Sequence, residues 1–114
     1  PASRPDKGRY EDELLPLARK HKTSVIAMKA IRRDRQSDLK GTDLIRYAMS
    51  LKGVHTTIVG LDTIAHLDEN AAMATKFRPL KGHQRAAITR EVQLALGNYP
   101  APWDMPGYSD GVVV

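Results

Sequence analysis

Apolar and polar positions follow two periods along this chain. Residues 24–28 hold a short apolar run, Val25, Ile26, Ala27 and Met28, as expected of a strand covered on both faces. Residues 56–59 are β-branched throughout and predict a second strand. Elsewhere the spacing is helical. In residues 10–20, Leu14, Leu17 and Ala18 keep a three-to-four spacing behind Glu11, Asp12 and Glu13, which suit the positive end of a helix dipole. Pro16 belongs in the first turns of that helix or marks a kink. Thr42 stands as an N-cap before a stripe of Leu44, Ile45, Ala48, Met49 and Leu51, and Gly53 closes that helix. Residues 63–76 place Ile64, Leu67, Ala71 and Ala74 along one side, with a stop at Phe77-Arg78-Pro79. Residues 83–96 repeat the pattern with Ala87, Ile88, Val92 and Leu96, closed by Gly97 and Asn98.

Residues 1–8 read as a polar loop, residues 30–40 as a charged loop, and residues 99–114 as an irregular tail holding Tyr99, Trp103 and Tyr108. The order is helix, strand, helix, strand, helix, helix, tail. Strands that alternate with helices predict a parallel sheet. Two strands alone leave open edges, which invite self-association.

The densest chemistry lies in residues 56–70. A strand ends at Gly60, where the backbone would turn sharply or approach a ligand closely. Asp62 would cap the following helix. His66, Glu69 and Asn70 then fall at i, i+3 and i+4 on one helical face. A strand, a glycine turn and a helix start with clustered polar groups is a common way to hold a nucleotide.

This stretch resembles the last strand and helix of the aldo/keto reductases. The family pattern there is Ile-Val/Pro-Gly, then Ala/Met and Ser/Asp, ending in Gln-x-x-Glu-Asn. The corresponding residues are Ile58-Val59-Gly60-Leu61-Asp62 and His66-Leu67-Asp68-Glu69-Asn70. Upstream, Glu13-Leu14-Leu15-Pro16-Leu17-Ala18-Arg19 and Ser24-Val25-Ile26-Ala27-Met28-Lys29 are similar to the preceding helix and strand, and Leu44-Ile45-Arg46-Tyr47-Ala48-Met49-Ser50-Leu51 to the helix between the strands. The resemblance runs over residues 10–80 in the family's order. It implies an α/β fold: the last two strand–helix units of a (β/α)8 TIM-type barrel, followed in residues 81–114 by a C-terminal helix and tail of the same domain. Such barrels are typically about 250 residues long, so the chain of 114 residues, which starts at Pro1, reads as the C-terminal part of one.

The resemblance also implies a function, NAD(P)H-dependent reduction of a small carbonyl substrate by hydride transfer. In the family, the turn after the last strand and the next helix hold the adenosine 2′-phosphate and the adenine. The matching positions are Gly60, Leu61, Asp62, His66, Glu69 and Asn70. Asn70 would bond the adenine amine, and Glu69 the amine or a ribose hydroxyl. His66 stands where Gln is common. Asp62 stands where Ser or a basic residue meets the phosphate, so a carboxylate there leaves the choice between NADP and NAD open. Met28, Lys29, Ala30 and Ile31 match the family's Tyr/Trp-Ser-Pro-Leu, which stacks on the nicotinamide and wraps the pyrophosphate. Met28 would pack on the ring and Lys29 would offer a charge; a solvated strand end is the plainer reading. The family's catalytic tyrosine and its Asp, Lys and His partners lie in the first half of the barrel, and none of their motifs occurs here. Tyr47 reads as helix packing. A non-enzymatic module that self-associates through its strand edges or binds nucleotide weakly is the alternative.

Composition changes this picture little. Hydrophobic residues make up 41% and aromatics 5%, enough for a small aliphatic core. The formal charge of +5 suits an anionic partner, but Lys and Arg are scattered apart from Arg32, Arg33 and Arg35. Those three sit in a loop that can fold over the cofactor in the family, though a solvated loop is the preferred reading. No aromatic residues interleave with them, which argues against nucleic acid. The absence of Cys excludes disulfides and thiolate metal sites and suits a cytoplasmic protein. His21, His55, His66 and His83 lack metal-ligand spacing. No apolar run is long enough to span a membrane.

Overall fold

The computed structural model describes residues 10–31, 39–96, 106, 107 and 109. The expectations for residues 1–8, for Arg32, Arg33 and Arg35, for the Gly97-Asn98 stop and for Tyr99, Trp103 and Tyr108 fall outside them. Among the described residues the protein is mixed α/β, with four α-helices and a two-stranded parallel sheet. The elements are α1 (Leu15–Lys20), β1 (Val25–Ala27), α2 (Gly41–Met49), β2 (Val54–Thr57), α3 (Ile64–Thr75) and α4 (Gly82–Leu96). None of the described helices is long and apolar enough to cross a membrane.

The first helix departs from its predicted phase. Tyr10–Leu14 forms a π-helical turn, and only from Leu15 is the helix α. A π-turn adds a residue to the cycle and rotates the turns after it. Leu15 and Ala18 are therefore buried, whereas Leu14 and Leu17 of the predicted stripe are exposed. Pro16 falls where the π-turn passes into α1, inside the continuous helix, where it can donate no N–H to the preceding turn.

Helix α1 ends in a Schellman motif. Thr23 N–H donates to the Ala18 carbonyl at 2.8 Å and Lys22 N–H to the Arg19 carbonyl at 3.1 Å. The left-handed position is filled by Lys22, at φ 53°. A side chain there costs about 1–2 kcal/mol, and glycine returns roughly half of the relief through its freer unfolded chain. Lys22→Gly is expected to stabilise the protein by about 0.5–1 kcal/mol in urea unfolding. A loss of stability would show that the turn does not hold this geometry.

Strands β1 and β2 pair in parallel, with Val25 opposite Val54, Ile26 opposite Thr56 and Ala27 opposite Thr57. His55 is the extra residue in this register, and its Nδ1 accepts the Val25 N–H at 3.2 Å. β2 thus begins and ends two residues before the predicted 56–59, because Val54 and His55 join the ladder while Ile58 and Val59 have left it.

Helix α2 links the strands and organises the rest. Its N-cap is Lys40, not Thr42; the Asp43 carboxylate accepts the Lys40 N–H at 3.3 Å, a better partner for that donor than a threonine already inside the first turn. Ile45, Tyr47 and Ala48 are buried and, with Leu15 and Ala18, make up the buried apolar core of the described residues. Gly53 follows at φ 108°, with the Arg19 side chain packed so closely that an added Cβ would stand 3.2 Å from its Cγ. This is the glycine stop the pattern predicts. Ser50 Oγ donates to the Arg46 carbonyl at 2.6 Å and accepts the Leu80 N–H at 2.8 Å, and Arg46 Nε donates to the Arg78 carbonyl at 2.8 Å. These bonds lash the segment between α3 and α4 onto the end of α2.

Helix α3 packs on α2 but buries none of its own residues. The predicted stripe is exposed: Ile64 is 78% accessible and Leu67 49%. The half-covered side carries Asn70, Met73 and, just beyond the helix, Phe77.

Candidate functional site

The parallel register decides what stands at the carboxyl end of the sheet. Ala27 and Thr57 are the last paired residues, and Ile58 N–H donates to the Ala27 carbonyl at 2.8 Å. The two strand-end turns, residues 28–31 and 58–62, therefore leave from adjacent points. In parallel α/β sheets, that end is where ligands sit.

Within the first turn, Met28 is 63% exposed and Lys29 is exposed in a left-handed conformation at φ 54°. For a lysine this is a strained backbone of the kind that concentrates at functional turns. Ala30 and Ile31 are half-buried, and Ile31 lies against the start of α2, its Cδ1 3.2 Å from where a Cβ on Gly41 would stand. Ile31 is thus a packing residue at the base of the turn.

In the second turn, Gly60 and Leu61 are exposed. Gly60 is not in a left-handed conformation, and a Cβ built there meets nothing within 4 Å. Neither the sharp turn nor a close protein approach demands a glycine at this point. Asp62 is exposed and engaged in an interaction of its own. It is not the cap of α3. Thr63 takes that role, with an extended backbone and its Oγ1 accepting the His66 N–H at 3.1 Å. The reason is positional, since the helix starts at Ile64 and the cap must be the residue directly before it.

His66 and Glu69 project from the exposed side of α3, while Asn70 is half-buried on the side that packs on α2. The three share the first turns of the helix. Among the described residues, no hydrogen bond joins them to Met28, Lys29, Ala30 or Ile31. One group that the sequence did not single out lies at this end of the sheet: Thr57 Oγ1 is covered and lacks a hydrogen-bond partner. Ile26, Met28 and Ile58, in or next to the strands, and Leu61, Ile64 and Leu67, which follow, are exposed apolar residues.

Tyr47 is more than helix packing. Its hydroxyl donates to the Glu11 carboxylate, with Oε1 at 2.8 Å and Oε2 at 3.0 Å, and lies 3.3 Å from Thr89 Oγ1. A phenol has one proton. With that proton on Glu11, the Thr89 hydroxyl is the donor to Tyr47. The bonds join the N-terminal turn, α2 and α4. Burial pushes the Tyr47 phenol above its ordinary value, and the Glu11 hydrogen bond and charge push the same way; Thr89 and the Arg85 charge oppose them.

No family model, curated protein or solved structure shows a significant match to the chain.

Proposed function

We propose that these residues are the cofactor-holding end of an NAD(P)H-dependent carbonyl reductase of the aldo/keto type, the last two strand–helix units of its barrel. The observation that carries this reading is the parallel register, which starts residues 28–31 and 58–62 side by side beyond the carboxyl ends of β1 and β2. Two further features support it. Lys29 is held in a strained left-handed turn at that end. The apolar residues Ile26, Ile58, Leu61 and Ile64 are exposed, and the sheet has two strands among the described residues, as expected of a segment whose barrel is completed by further strands. In this reading, Met28 packs on the nicotinamide, Lys29 faces the pyrophosphate, and Asp62, His66, Glu69 and Asn70 hold the adenosine. The cofactor supplies hydride; acid catalysis belongs to residues outside this segment.

Titration of NADPH and NADH by fluorescence tests the reading. Asn70→Ala is expected to weaken dinucleotide binding by about 1–3 kcal/mol, the cost of an unpaired buried polar contact. In the whole enzyme this raises the cofactor KM with little change in kcat, because the adenine contacts are alike in ground and transition states. Asp62→Ser is expected to shift preference toward NADPH, and because Thr63 is the cap the change leaves α3 intact. Unchanged affinities in both variants would end the site assignment. An absence of any dinucleotide binding, with light scattering that grows with protein concentration, would favour a self-associating module. The small sheet, two strands among the described residues, is what recommends that second reading.

A further inference from the structure

We propose that Met28 is a peroxide-sensitive modification site. Its thioether is oxidised ahead of the other described methionines, and the sulfoxide formed there loosens dinucleotide binding without unfolding the protein. The effect on the dinucleotide rests on the reductase reading; the order of oxidation does not.

Three methionines fall among the described residues, and they differ in access. Met28 is 63% exposed, whereas Met49, the last residue of α2, and Met73, on the half-covered side of α3, are half-buried. An oxidant must reach the sulfur to attack it. Exposure alternates from β1 into the turn that follows, with Val25 and Ala27 half-buried and Ile26 and Met28 exposed. Successive side chains of a strand point to opposite faces, so Met28 stands on the same open face as Ile26. In the reaction, a sulfur lone pair takes one oxygen from hydrogen peroxide. An S–O bond forms, the O–O bond breaks and the second oxygen leaves as water; sulfur is oxidised by two electrons and peroxide is reduced. The product is a polar, chiral group in place of a flexible apolar one. At a packed methionine that change disrupts the core. At Met28, which already meets water over most of its surface, the free protein loses little. The cost falls on whatever apolar group packs there, which in the reductase reading is the nicotinamide ring. The Tyr or Trp that the family carries at the matching position has no thioether, so this sensitivity belongs to the chain's own choice of residue.

The test is exposure of the full chain to hydrogen peroxide, removal of the excess with catalase, and mass spectrometry of tryptic peptides. Cleavage after Lys22, Lys29, Arg46, Lys52 and Lys76 puts Met28, Met49 and Met73 on separate peptides. Met28 is expected to gain one oxygen first, and bound NADPH to slow that gain at Met28 alone. Circular dichroism and the urea midpoint are expected to stay the same. NADPH affinity, read by fluorescence, is expected to fall about two- to tenfold, the worth of one sulfur–aromatic contact, and to recover after treatment with methionine sulfoxide reductases. Met28→Leu keeps an apolar side chain without the thioether, and whatever affinity it has before peroxide it is expected to keep afterwards. That variant retains Met105, so a loss that persists in it would place the sensitive group elsewhere and overturn the proposal. Oxidation of Met28 at the same rate as Met49 and Met73, or later, would also overturn it, as would a Met28 sulfoxide that binds NADPH as tightly as the thioether. An untreated chain that binds no NADPH would end the reductase reading and the effect on binding with it, a failure visible before any peroxide is added; the order of oxidation would then still decide whether Met28 is the sensitive site.

Discussion

Ile45→Ala and Leu15→Ala are each expected to cost about 2–5 kcal/mol, the usual range for emptying a fully packed aliphatic site. Ile45 is 3% exposed and Leu15 4%, and they are the most deeply buried large side chains of the described core. A chain of 114 residues has a total stability of only about 5–15 kcal/mol, so either change removes a large part of it. Leu17→Ala is the control. At 53% exposure, it is expected to cost well under about 1 kcal/mol. Urea unfolding of the three variants checks the ranking. A larger loss at Leu17 than at Leu15 would mean that α1 has the phase of an uninterrupted α-helix and that the π-turn before it does not exist.

The second large effect is expected at Tyr47. Tyr47→Phe removes the hydroxyl that serves Glu11 and receives Thr89, with an expected loss of about 1.5–3 kcal/mol, the range for hydrogen bonds to a charged group. The loss carries a pH signature. The folded phenol titrates above its ordinary value of 10.0, so the folded state keeps a proton that the unfolded chain gives up. The associated stability is complete below about pH 10 and is lost as pH rises through the raised folded value. Wild-type stability is therefore expected to fall on the alkaline side more steeply than that of Tyr47→Phe. The remaining tyrosines and lysines titrate in both proteins, so the difference between the two slopes isolates Tyr47. Parallel slopes would show that the phenol is as well solvated as in the unfolded chain.

The alternation of strands and helices was legible because it rests on local signals. The β-branched residues at 56 and 57, the apolar stripe ending at Ala48 and the stop at Gly53 each act over a few neighbours. What local patterns missed was phase. Leu14 and Leu17 have helical spacing whether or not a π-turn precedes them, and only the burial of Leu15 distinguishes the two cases. Asp62 and Thr63 are both good caps, and the choice depends on where α3 can dock on α2. The apolar stripe on α3 was readable, but not the side that would meet α2, since Asn70 and Met73 carry no stronger signal than Ile64 and Leu67. The Tyr47 cluster was beyond sequence reading altogether. Its partners lie 36 and 42 residues away, and no spacing rule links them. Among the dinucleotide candidates, the sequence located two turns, and the parallel register put their starting points together.

The offset at His55 also bears on how the protein tolerates changes in chain length. In most strands, losing one residue turns every following side chain to the other face. β2 is an exception at one point. With Val25 opposite Val54 and Ile26 already opposite Thr56, excising His55 would leave Thr56 and Thr57 against the same partners. The loss would be one imidazole acceptor for the Val25 amide. Position 55 is thus where deletion of a single residue is expected to leave the strand-end turns aligned.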